Sequence, residues 1–274
     1  MGLTMVRDGL RWHLIEKSRG TYGWSSWLPM LEAAQAAGVQ VLWDVFHYGC
    51  PDHIDLGGPE FAARFAEFAA EAVRVQRTMT GRSPIMCPAN EISFFTWAVR
   101  AGYFPAVGPD EHGWLKRHMV RAAITAAEAM LQMDPGCRLI WSEPLIHIAL
   151  RNQRRSEIRD AEATRVGQFE VYDWLTGQQA PELGGRPDLV DIVGLNFYPH
   201  NEWYDRGSTI PVGHHQHRPL SDMLTEVSKR YNKPIMLTET GAEGSGRAAW
   251  LHYVCDEVLN VLQDGLRMEG ICLY

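Results

Sequence analysis

Short apolar runs alternate with longer amphipathic stretches from one end of the chain to the other. Apolar runs of about four to eight residues bounded by turn residues read as strands, and an apolar period of about 3.6 reads as helix. Residues 3–15, LTMVRDGLRWHLI, are apolar apart from Arg7-Asp8 and their flanks, and the second half reads as a strand carrying Arg11. Residues 24–37 read as a helix capped by Ser25 or Ser26, with Leu28, Leu31 and Ala34 on its apolar face and Gly38 as its stop. VQVLWDVFHYG (39–49) is a β-rich run. Pro59 opens a helix over 59–79 in which Phe61, Phe65, Phe68, Ala72 and Val75 recur at helical spacing. A strand ending in Glu91 follows, then an irregular aromatic stretch from Phe94 to Trp114 and an Ala-rich helix over 115–133. Residues 137–148 begin as a strand, 156–178 read as helix, and 188–200 as strand. Pro219 to Tyr231 is helical, Ile235 to Glu239 is a strand, 248–265 a helix and 270–274 a last strand.

Such alternation predicts a parallel sheet, because each helix must carry the chain back to the start of the next strand. Strands apolar along their whole length fit a sheet covered on both faces. Polar side chains gather where these strands end: Trp43-Asp44 and His47, Asn90-Glu91, Ser142-Glu143, Asn196 and Tyr198, and Glu239. In a (β/α)8 TIM barrel all those ends lie at the face that carries the active site. A doubly wound open sheet usually shows a Gly-rich phosphate turn, and neither GxGxxG nor GxxxxGK[ST] occurs here. Seven strands are predicted, starting near residues 8, 39, 84, 138, 190, 235 and 270, so the expectation is an incomplete barrel. The first strand and helix and the segment after the last strand are the expected omissions. One catalytic domain over 1–274 fits the length, since such barrels need about 250 residues.

Composition narrows the partners. A net charge of −7 argues against a nucleic acid or an anionic membrane, both of which demand a basic face. No apolar run approaches the roughly 20 residues of a membrane span, and the N-terminus lacks the form of a signal peptide. Five widely spaced cysteines without a CxxC pair suggest a reducing, cytoplasmic setting rather than a disulfide framework or a zinc site. Ten tryptophans and nine tyrosines supply enough rings to line a sugar-binding cleft as well as a core.

Two apolar strands each end in a glutamate, SPIMCPANEIS at 83–93 and PIMLTETGAEG at 234–244, which suggests two carboxylates at one mouth. The motifs ANEIS (89–93), LTETG (237–241), LRWHLIE (10–16), WDVFHYGCPD (43–52) and GLNFYP (194–199) resemble, in order, those of the clan A retaining glycoside hydrolases. The pattern is most similar to family 1, the β-glucosidases and β-galactosidases, with Thr240 where that family has Asn. The resemblance implies Glu239 as nucleophile, Glu91 as acid/base, Arg11 as the cation bracing the nucleophile, and His47 as a sugar ligand. It further implies that Asn196 and Tyr198 flank the nucleophile and that Asn90 donates to the sugar 2-hydroxyl. No cofactor and no metal are implied, and the partner is a β-linked glycoside or oligosaccharide.

In that chemistry the two carboxyl groups stand about 5–5.5 Å apart. Glu239 must be ionised to attack, so it needs a cation nearby, and Glu91 must hold a proton until the leaving group departs. Of Trp43, Trp97, Trp141 and Trp203 as sugar platforms, Trp203 is the best placed, in a polar loop after a strand end. Two other readings compete. One is a weakly active or non-catalytic carbohydrate-binding barrel. The other is a metal-dependent barrel hydrolase using His13, His47, His147 and His200, to which the loop histidines His214, His215 and His217 add little.

Overall fold

The computed structural model describes residues 2–109, 113–150, 155–205 and 207–274. In chain order the elements are β1 (Met5–Gly9), α1 (Trp12–Ile15), β2 (Glu16–Ser18), β3 (Thr21–Tyr22), α2 (Leu28–Ala37), β4 (Gln40–Phe46), α3 (Phe61–Thr80) and β5 (Ile85–Ala89). Then come α4 (Ile92–Arg100), α5 (Trp114–Met133), β6 (Arg138–Pro144), β7 (His147–Ala149), α6 (Arg155–Gly167), α7 (Glu170–Leu175) and β8 (Ile192–Asn196). The chain closes with β9 (Glu202–Tyr204), α8 (Leu220–Tyr231), β10 (Ile235–Thr240), α9 (Arg247–Gln263) and β11 (Met268–Leu273). Seven strands form one sheet in the order β1-β4-β5-β6-β8-β10-β11, the arrangement of an incomplete (β/α)8 barrel.

The chain divides into two compact units, Met1–Trp141 with Val171–Asp191, and Ser142–Glu170 with Ile192–Tyr274. In the first, β1 pairs in parallel with β4 and β4 with β5, which sets Gly9 opposite Asp44 and Phe46 opposite Ala89. The expected apolar stripe of α3 is buried residue for residue: Phe61, Phe65, Phe68 and Ala72 are fully covered and Val75 nearly so. Trp12 stacks on Phe68 at 4.8 Å with the rings 4° from parallel, and it also lies on Phe65. Full burial of one such apolar side chain stabilises by about 1.5–3 kcal/mol, so this aromatic stack is a main anchor of the unit. A buried charge sits beneath it. Glu16 accepts from Trp12 Nε1 at 2.7 Å and from the Gly20 amide at 2.8 Å, and it pairs with Arg64. Burial alone would raise the Glu16 pKa, but the Gly20 and Trp12 donors and the Arg64 charge outweigh it and hold it low.

In the second unit β8, β10 and β11 pair in parallel, with Glu239 opposite Asn196, and a separate parallel pair joins β7 to β9. Helix α8 is capped from outside itself. The Ser221 amide and hydroxyl both donate to Glu257, and the Leu220 amide donates to the Tyr253 hydroxyl. These groups satisfy N–H donors that a helix start leaves without intrahelical partners.

Several expected boundaries move. The first strand is Met5–Gly9, and Arg11 is not within it but at the start of α1. Trp12 and Ile15 stand about one helical turn apart, so a helix puts both on its buried face, whereas a strand would point them to opposite faces. Neither Ser25 nor Ser26 caps α2, which begins at Leu28 with Trp27 as its N-cap after a 3₁₀ turn. The aromatic stretch after Glu91 is not irregular at its start: Ile92, Phe95 and Ala98 recur every third residue and build α4. The helix expected over 156–178 is two, α6 and α7.

Candidate active site

Glu91 follows β5 and is the N-cap of α4, in left-handed conformation with φ 41° and ψ 61°. Tyr48, two residues beyond β4, is left-handed as well, with φ 67°. A non-glycine residue in this region costs about 1–3 kcal/mol and persists where its surroundings over-determine it. The two strained residues meet: the Tyr48 hydroxyl donates to Glu91 Oε2 at 2.9 Å.

The direction of that bond follows from its neighbours. Arg7, at the middle of β1, can only donate. Its Nη2 lies 2.6 Å from Asn90 Oδ1, which fixes the amide with oxygen towards Arg7. Asn90 Nδ2 then donates to the Tyr48 hydroxyl oxygen at 2.9 Å. Tyr48 has one proton, and it goes to Glu91. The result is a one-way relay, Arg7 to Asn90 to Tyr48 to Glu91, whose members polarise one another.

Arg7 is also the bidentate partner of Asp44, through Nε at 3.0 Å and Nη2 at 2.9 Å, with both side chains almost wholly buried. Asp44 Oδ2 in turn faces His47 Nδ1 at 2.9 Å. His47 Nε2 lies 3.5 Å from Asn90 Nδ2, and the ring is partly open to solvent. A buried ion pair of this kind holds its place because breaking either half leaves an uncompensated charge.

Glu239 is the penultimate residue of β10, just past a register shift in its pairing with β8 and β11, and is half-buried. The Tyr198 hydroxyl donates to its Oε2 at 2.8 Å, and its backbone carbonyl accepts from the Phe197 amide at 2.9 Å. Asn196 is fully buried, and its Oδ1 accepts from the Thr238 hydroxyl at 2.7 Å. That contact ties β8 to β10 directly below Glu239. Tyr198 is stacked on His200, with ring centroids 5.5 Å apart and planes 8° from parallel.

The structure thus gathers Glu91, Asn90 and His47 in the first unit, and Glu239, Tyr198 and Asn196 in the second. Arg11 joins neither group. It is exposed, whereas Arg7, four residues earlier in the middle of β1, has a buried side chain. Trp43 and Trp141 are core residues at 1% exposure: Trp43 packs edge-on against Trp27, and Trp141 Nε1 donates to the Leu189 carbonyl. Trp203 is in β9 rather than a loop, and it is half-buried. Arg7 and Tyr48 were missed by sequence reasoning. The alternation in MVRDG and the need of buried Asp44 for a cation pointed to Arg7; a left-handed tyrosine leaves no mark in the sequence.

Among the described residues no group of three or more His, Cys, Asp or Glu is placed to hold a metal, and no helix is long and apolar enough to cross a membrane. His217 instead faces Glu202 with Nδ1 2.8 Å from Oε1, off hydrogen-bond geometry. Burial pushes the Glu202 carboxyl up to about 7, against the lowering effect of the Arg218 amide and charge. Burial pushes the His217 imidazole down, opposed by the Glu257 charge.

No family model and no curated protein matches the chain. Solved structures do. A β-glycosidase superposes with a TM-score of 0.76 at 19% identity, over 100% of this chain and 72% of its own. The β-glucosidase from Thermotoga maritima in complex with glucoimidazole gives 0.79 at 14% identity, over 100% of this chain and 74% of its own. A hyperthermophilic β-glucosidase mutant gives 0.77 at 14% identity, covering 76% of that chain. The chain therefore has the barrel fold of the β-glucosidases, at identities that leave its chemistry to be argued from its own residues.

Proposed function

We propose that this protein is a retaining β-glycosidase in which both units act as one catalytic domain, with Glu239 as nucleophile and Glu91 as acid/base. One observation carries the reading. Each glutamate stands at the C-terminal end of a parallel strand and accepts a hydrogen bond from a tyrosine hydroxyl, Tyr48 for Glu91 and Tyr198 for Glu239. In a parallel barrel those ends are where catalytic groups lie. The sugar-mimic complexes of the Thermotoga maritima enzyme support a glycoside as substrate.

In the first step a Glu239 oxygen attacks the anomeric carbon, and the bond to the leaving oxygen breaks as Glu91 protonates it. The products are a glycosyl ester on Glu239 and a free alcohol. In the second step Glu91, now a carboxylate, takes a proton from water, which displaces Glu239 and restores both groups. Tyr198 orients Glu239 through Oε2. Tyr48 donates to Oε2 of Glu91 and orients the carboxyl that would carry the transferable proton. Arg7, bound to Asp44 and Asn90, is the cation on the Glu91 side of the site, a different position from the nucleophile-bracing one expected of Arg11. Asn90 serves as the relay hub, and its amide hydrogen on the His47 side is assigned to the sugar 2-hydroxyl, with His47 beside it.

Incubation with a 2-deoxy-2-fluoro glycosyl fluoride and peptide mapping test the proposal. A covalent sugar on Glu239 is expected. Sugar-dependent stabilisation with neither label nor turnover indicates a binding barrel instead, and Glu91 and Glu239 carboxyls more than about 8 Å apart in a sugar complex rule out retention.

A further inference from the structure

Helix α4 buries one face and leaves aromatic rings on another. Ile92, Phe95 and Ala98 are covered, while Phe94 is 37% and Trp97 55% exposed. Tyr103, just past the helix, is 73% exposed. The rings form a continuous line: Tyr48 to Phe94 at 5.9 Å, Phe94 to Trp97 at 5.8 Å, and Trp97 to Tyr103 at 5.6 Å. Tyr48 is backed by Phe95, stacked at 5.6 Å, and by Phe104. The line begins at the hydroxyl bonded to Glu91 and grows more exposed with each ring.

The end of α4 explains how Tyr103 reaches Trp97. Gly102 is left-handed at φ 79°, the Tyr103 amide donates to the Ala98 carbonyl, and the Gly102 amide donates to Val99. This is a Schellman closure, and it brings the residue after the glycine onto the preceding turn. Such closures are commonly sealed by an apolar contact that hides both partners. Here Trp97 and Tyr103 both stay more than half exposed, so the contact fixes the rings without covering them.

We propose that Phe94, Trp97 and Tyr103 form a platform for the leaving-group side of a β-linked oligosaccharide, two or more sugar rings beyond the bond cleaved. The inference rests on Glu91 being the acid/base. That residue touches the leaving oxygen, so a track starting at its hydrogen-bond partner and running outward follows the leaving group. Rings rather than aliphatic side chains suit a pyranose, whose C–H face stacks on an aromatic face while its hydroxyls remain hydrated. The backbone closure holds Tyr103 in place before binding, which lowers the ordering cost.

Two measurements test it, on wild type, W97A, W97L and Y103A. The first is kcat/KM on gluco-, manno- and xylo-configured β-1,4 tetraoses relative to the corresponding methyl glycoside. The second is tryptophan fluorescence titrated with the same tetraoses, which needs no turnover. The tetraose-to-methyl ratio is expected to fall roughly five- to tenfold in W97A and Y103A, and W97L to behave as W97A because it keeps apolar volume but loses the ring. Saturable quenching lost in W97A without any turnover keeps the platform and rejects the hydrolase. Equal losses on tetraose and methyl glycoside, rescue by W97L, or no saturation with any of the three tetraoses overturns the platform.

Discussion

The surroundings of Glu91 and Glu239 differ in how each carboxylate is held. Glu91 sits on a strained left-handed residue beyond its strand, reached by a chain of donors that begins at a buried arginine. Glu239 sits within a strand, near its end and beside a register shift, and a tyrosine just past the neighbouring strand's end orients it. The acid/base must give a proton and take it back in one turnover, so the direction of its donor chain matters. A nucleophile must mainly keep one oxygen aimed, and a rigid strand with one hydroxyl suffices for that. The contrast matches the proposed roles, Glu91 as acid/base and Glu239 as nucleophile.

Leaving-group dependence gives the largest effect. E239Q is expected to lose at least about 10³-fold in kcat on every glycoside. E91Q is expected to lose about 10²–10⁴-fold on an alkyl glycoside but far less on a glycoside of an acidic phenol, which departs without a proton. Equal losses for E91Q on both substrates would reverse the contrast.

Arg7 and Arg11 come next. R7A strands Asp44 without its cation in a buried site and is expected to cost about 3–5 kcal/mol in urea unfolding. R11A, at an exposed position, is expected to stay within about 0.5 kcal/mol. A large R11A effect would restore the register read from the sequence.

The smallest effect concerns pH in the second unit. Glu202 has a folded pKa of about 7 against an ordinary 4.5, so its stabilising preference for the proton is complete below pH 4.5 and lost as pH rises through 7. The loss is about 3 kcal/mol if the whole shift is expressed. His217 runs the other way, because its depressed pKa removes stability as pH falls below the usual 6.5. Around this pair stand Arg218, whose amide bonds Glu202, and Tyr253 with Glu257 from α9. Thermal melts between pH 5 and 8 check it: E202Q is expected to abolish the upper fall and leave the acid side, and an unchanged slope would show that Glu202 does not titrate there.

The strands and their polar ends were legible because apolar runs closed by polar residues leave few alternatives once a parallel sheet is assumed. Helix α3 was legible from five apolar positions alone. The misplacement of Arg11 came from an apolar run that continues through two elements, where only Trp12 and Ile15 carry the helical period. Helix α4 was hidden by the exposed Phe94 and Trp97, which blur its buried face. Tyr48 was invisible because its role depends on a backbone angle and on a partner 43 residues away.

The two left-handed residues also bear on descent. Glycine would occupy position 91 with less backbone strain, since it adopts positive φ freely. A copy of this chain released from catalysis would therefore drift towards glycine or asparagine there with a gain in backbone ease. Under the proposed mechanism a glutamate held at that angle is kept for its carboxyl, and position 91 would separate working descendants from decayed ones.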